Sequence, residues 1–106
     1  MSSKLKLTPN PTFRVLVSVP VPGGAAEDVE IEFKARSRTE IVKFVQAMEG
    51  EYENDTELLM DCMVGWNIDA EFSAENVELL VENYPGVAGR IVTAYLDELA
   101  KARLGN

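Results

Sequence analysis

Oxygen-bearing side chains recur between residues 67 and 78 at a spacing that suits a hard cation. Asn67, Asp69, Glu71, Ser73, Glu75 and Glu78 occupy the ligand positions of an EF-hand calcium loop. Two other positions argue against that chemistry. The sixth holds Phe72 where the tight turn demands glycine, and the eighth holds Ala74 where an apolar anchor normally sits. The plainer reading is a helix that begins at Ser73, with the serine hydroxyl capping the first turn. Other chemistry is scarce. The chain has no histidine, which removes the commonest acid–base group at neutral pH and both the Ser–His and Cys–His nucleophile designs. The single cysteine, Cys62, falls on an apolar helical stripe and reads as a structural thiol. The acidic run Glu49, Glu51, Glu53, Asp55 and Glu57 reads as a solvated loop and helix start, where acids complement the helix dipole. No P-loop, dinucleotide fingerprint or zinc pattern occurs. The sequence therefore points to a non-enzymatic protein without metal or cofactor.

Charge and composition narrow the partners. Ten basic and eighteen acidic residues among 106 give a net charge of −8. A surface of that sign repels phosphate backbones. Lys34, Arg36, Arg38 and Lys43 lie close in sequence, but Glu32 and Glu40 interrupt them, so no basic patch for nucleic acid is expected. One cysteine allows no internal disulfide, as in a reducing compartment. The N-terminus lacks the apolar core of a signal peptide, and no apolar run approaches the roughly 20 residues that span a bilayer. The expected location is the cytoplasm of the producing cell, away from membranes.

The elements follow from periodicity. Residues 1–12 read as an N-terminal arm and 13–106 as one α+β domain. Phe13, Val15, Val17, Val19 and Val21 alternate on one face of a strand, and Pro20 places that strand at a sheet edge. Pro22, Gly23 and Gly24 signal a turn. Val29, Ile31, Phe33 and Ala35 then share a face opposite Glu30, Glu32 and Lys34, which predicts an antiparallel β-hairpin with one apolar face. Leu5 and Leu7 offer a third strand. A hairpin alone is marginal in water, so helices must cover it.

The period then becomes helical. Ser37 and Glu40 have capping-box spacing ahead of the stripe Ile41, Phe44, Val45 and Met48, which Gly50 ends. Asn54 and Glu57 repeat the spacing before Leu58, Leu59, Cys62 and Met63. Trp66 is expected to anchor the core between the second and third helices. Ile68 and Phe72 are apolar anchors of the connection that follows. Val77, Leu80 and Val81 mark the third helix, which stops before Pro85. The fourth runs from about Val87 to Leu104, with Gly105 as C-cap and Val87, Ile91, Ala94, Tyr95 and Leu99 on its apolar face. The predicted architecture is an antiparallel hairpin, or small three-stranded sheet, packed against about four helices.

Several segments, taken in order, carry a family resemblance. They are Pro9 to Phe13, Val19 to Gly24, Phe33 to Glu40, Trp66 with Phe72 to Asn76, Asn83-Tyr84-Pro85, and Ile91 to Asn106. Together they resemble the tail assembly chaperones of long-tailed phages and prophages, over nearly the whole chain. The resemblance implies a protein that binds the tape measure protein and keeps it soluble before the tail tube polymerises, and that is absent from the mature virion. It also implies a longer form made by ribosomal frameshifting; an end shortly after the last helix is compatible with the short form. The family has no catalytic residues to carry over.

Such a binder needs an apolar surface with a charged surround. A groove between the last two helices, or a hairpin edge open to strand addition, would supply it. Phe72, Val77, Tyr84, Val87, Ile91 and Tyr95 are the partner-binding candidates, with Tyr84 and Tyr95 favoured because tyrosine joins apolar area to a polar tip. Self-association into a homo-oligomer fits the same picture. The alternative is a structural tail tube, terminator or head–tail connector subunit, and a more distant one is a small enzyme or regulator that uses the acidic residues.

Overall fold

Alternation and proline placement build the sheet. The structure, a computed structural model, describes residues 2–101. Strand β1 (Thr12–Val19) pairs antiparallel with β2 (Glu27–Lys34), from Thr12 opposite Lys34 to Val19 opposite Glu27. Val17, Val19, Ile31 and Phe33 point into the core. Arg14, Leu16 and Ser18 point away from it. β1 stops at Val19 because Pro20 has no N–H for a ladder. The turn beyond is closed by the Gly24 N–H, which donates to the Val21 carbonyl at 3.0 Å. Gly23 has φ +77°, as position three of a Pro-Gly type II turn requires.

Four helices follow: α1 (Arg38–Ala47), α2 (Asp55–Cys62), α3 (Ala74–Asn83) and α4 (Val87–Ala100). Ser37 and Glu40 form the expected reciprocal capping box, with Ser37 Oγ accepting from the Glu40 N–H at 3.2 Å and Glu40 Oε1 from the Ser37 N–H at 2.7 Å. Asn54 caps α2 and Ser73 caps α3. Gly86 at φ +87° turns the chain from α3 into α4, a conformation that disfavours any side chain. The predicted helical continuation to Leu104 and the Gly105 cap lie outside the described residues.

The third strand is not where Leu5 and Leu7 placed it. Those leucines are exposed and belong to no strand. Instead β3 (Met63–Trp66) runs antiparallel to the other side of β2, giving the order β1-β2-β3. Met63 continues the apolar stripe of α2 in sequence, yet the helix ends at Cys62. Val64 and Gly65 are poor helix formers, and the free edge of β2 offers hydrogen bonds in exchange. Trp66 accordingly sits at the end of the sheet rather than between helices. Its ring stands edge-on to Phe72 at 5.3 Å, and its Nε1 donates to the Ala70 carbonyl at 2.8 Å. The result is an α+β arrangement of a three-stranded antiparallel sheet and four helices.

The core centres on Tyr95 of α4, which is 0% exposed. Its ring stacks on Phe33 at 4.7 Å and on Phe13 at 5.9 Å, and meets Phe44 edge-on at 5.6 Å. Its hydroxyl donates to the Lys34 carbonyl at 2.7 Å and accepts from Arg36 Nε at 2.9 Å. Arg36 also donates to the Asp61 carbonyl at 2.8 Å and lies 4.4 Å from the centre of the Phe44 ring. Phe44 is the one buried residue of α1, so this cluster fastens α1 to the body. Val42 and Val45 of the same helix and Met48 at its C-cap are exposed.

Asp61 closes the cluster. Partial burial would raise its carboxyl, but the Tyr52 hydroxyl donates to it and Arg36 and Lys34 flank it, and together these hold it below the ordinary carboxylate range. A lowered folded-state pKa stabilises the fold above the unfolded value of about 4, and that contribution is lost as pH falls through the lower folded value. Asp61→Asn is expected to flatten the acid limb of a melting temperature against pH curve and leave its shape near neutrality unchanged. The Asp61 side chain is 41% exposed, so solvent screening keeps the effect small, below about 1 kcal/mol.

Candidate partner-binding pocket

Ser73 Oγ accepts from the Asn76 N–H at 3.2 Å, and Asn67 Oδ1 accepts from the Glu30 N–H at 2.9 Å. Two oxygens of the calcium-like spacing thus serve backbone groups. Among the described residues no three His, Cys, Asp or Glu side chains converge as metal ligands. Cys62 is fully buried in α2, and desolvation pushes its thiol up to about 12. It is expected to resist a water-soluble disulfide reagent in the native state and to react at once in denaturant. Rapid stoichiometric labelling of the folded protein would contradict its placement.

The six residues singled out from the sequence divide. Val77, Ile91 and Tyr95 are 0% exposed and Val87 is 2% exposed, so all four are packed inside this fold. They pack together with Leu59 and Phe33 in the main core. Phe72 and Tyr84 are half-buried and reach the surface. The structure does not bring these two into one cavity. Phe72 packs on Trp66, whereas Tyr84 lines a pocket at the turn end of the sheet.

That pocket is an open apolar cavity of about 340 Å³. Val19 comes from the end of β1 and Val21 from the turn after it, Val29 from β2, Ile68 from the segment after β3, Leu80 from the last turn of α3 and Tyr84 from its C-cap. Glu27, Asp28 and Asn67 complete its wall. α3 ends at Asn83, ahead of Pro85, and Leu80 and Tyr84 at that end form one side of the cavity. Sequence periodicity marks Val19, Val29 and Leu80 as apolar-face residues and Ile68 as an anchor. It carries no signal that three segments so far apart in the chain share a cavity.

No helix among the described residues is long and apolar enough to cross a membrane. A family model for phage tail assembly chaperones matches residues 1–106, the whole chain.

The chain belongs to the phage tail assembly chaperone family.

Neither a curated protein nor a solved structure matches it.

Proposed function

We propose that the protein binds the tape measure protein of its phage through the Tyr84 pocket and keeps it soluble until the tail tube polymerises. It acts without catalysis, in the cytoplasm of the bacterial host, and does not enter the mature virion. The observation that carries this reading is the open apolar pocket, in a member of a family that assembles phage tails. A net charge of −8 supports it further, because like-charged complexes repel one another and stay in solution.

Working copies of the chain associate, with each other and with a longer frameshifted form. The free edge of β1 supports this. The Glu30 backbone bonds toward Asn67, so the alternate residues of β2 serve β1, and the backbone groups of Arg14, Leu16 and Ser18 face outward. Leu16 is 65% exposed on that edge, and an uncovered edge strand is a template for pairing. Light scattering after gel filtration reads the copy number, and a strict monomer at high concentration would remove this part of the proposal.

Co-expression with the tape measure protein tests the main proposal. The expected result is a soluble tape measure protein that elutes with this chain. An insoluble tape measure protein, with this chain eluting alone, would overturn it. Mass spectrometry of purified particles tests the other half. Stoichiometric amounts in the virion would instead make the protein a structural tail or head–tail connector subunit.

A further inference from the structure

The apolar row of β2 ends on a carboxylate. Phe33, Ile31 and Val29 alternate toward the core, and the next residue of the same row is Glu27, paired across the hairpin with the buried Val19. Asp28 stands beside it at the strand start, and both acids are exposed. The pocket over Val29, Leu80 and Tyr84 therefore has an apolar floor and a lip that carries two carboxylates. Among the described residues, no lysine or arginine lines it. Four other surface cavities each include an arginine, Arg14, Arg36 or Arg90. Among the described residues, a cation thus stands beside each of those four cavities and none beside this one.

We infer that this pocket selects an apolar side chain of a protein partner that carries lysine or arginine within about one helical turn of it. The inference rests on the reading of the pocket as the partner-binding surface. The floor rewards burial of a leucine, methionine or phenylalanine side chain. The lip attracts a cation placed three or four residues from that side chain on an amphipathic helix. An acidic segment and an anionic small molecule both meet repulsion from Glu27 and Asp28 and from the net charge of −8. Because the carboxylates remain in water, they act chiefly on the association rate and on its salt dependence, while the floor sets the residence time.

The test titrates the isotope-labelled full chain with two synthetic amphipathic helices of identical apolar face, one flanked by lysine and one by glutamate. The lysine peptide is expected to shift the amide signals of Val29, Ile68, Leu80 and Tyr84, and the glutamate peptide to leave them in place. The double variant Glu27→Gln, Asp28→Asn is expected to bind the lysine peptide about tenfold more weakly at low salt and with little salt dependence. Its exposed positions leave the fold intact, which its melting temperature verifies. Equal shifts from both peptides, no shift from either, or an unchanged affinity in the double variant would each overturn the inference. The tape measure protein separates the two readings. If it binds the double variant as tightly as wild type, the cation preference falls and the pocket's role stands. If it does not bind wild type while the lysine peptide does, the tape measure assignment falls and the preference stands.

Discussion

Tyr95→Ala is expected to lower the melting temperature by roughly 15 °C or more, the largest stability loss of any single truncation in this fold. Removing a large buried aromatic costs about 3–5 kcal/mol when the cavity cannot collapse. Here the cavity is walled by Phe13, Phe33 and Phe44, which belong to the sheet and to α1. The loss also leaves the Lys34 carbonyl and Arg36 Nε without their shared partner. Tyr95→Phe isolates that second effect. It keeps the stacking, removes only the hydroxyl, and is expected to cost about 1–3 kcal/mol. Thermal denaturation of the two variants beside wild type measures both. A Tyr95→Ala protein that melts within a few degrees of wild type would contradict the central position assigned to this residue.

Tyr84→Ala is expected to do the reverse, sparing the fold and removing binding. Tyr84 is half-buried at the α3 end, and its two bonds are made by the backbone, which alanine keeps: its N–H donates to the Leu80 carbonyl at 3.0 Å and its carbonyl accepts from the Val87 N–H at 3.0 Å. Truncation therefore leaves the melting temperature within a few degrees. If the pocket is the binding surface, losing its aromatic wall is expected to cost about 2 kcal/mol of affinity for the tape measure protein, roughly thirtyfold in Kd. Leu79→Ala is the control. Leu79 is an apolar residue of the same helix, 54% exposed, that does not line the pocket. An equal loss of affinity from both substitutions, or from neither, would move the interface elsewhere.

The contrast between these two tyrosines shows where the sequence is readable. Alternation in β1 and β2, the capping spacings at Ser37 and Asn54, and the stop before Pro85 are local signals, and local backbone preferences decide those features. β3 is short, and Met63 keeps the helical spacing of α2, so only the hydrogen bonds offered by the β2 edge turn those residues into a strand. The apolar stripe of α1 shows the limit from the other side. Ile41, Phe44, Val45 and Met48 share one helical face, but Phe44 alone is buried, because burial depends on what stands opposite. The same holds for the binding candidates. Tyr84 and Tyr95 are equivalent as residue types, and helical period identifies an apolar face without saying whether the core or a partner covers it. Tyr95 sits mid-helix over the sheet and is enclosed. Tyr84 sits where the helix has already ended and stays open. Glu27 is a further case, since its meaning depends on the cross-strand register that sets it opposite Val19.

The pocket at the turn end of the sheet is expected to meet the tape measure protein directly. Hydrogen–deuterium exchange on the co-purified complex, compared with the free chain, reads this residue by residue. Slowed exchange at the backbone amides of Val29, Ile68 and Tyr84, with little change along α1, is the predicted result. Slowed exchange confined to α1, whose Val42 and Val45 also face outward, with none around Tyr84, would contradict it.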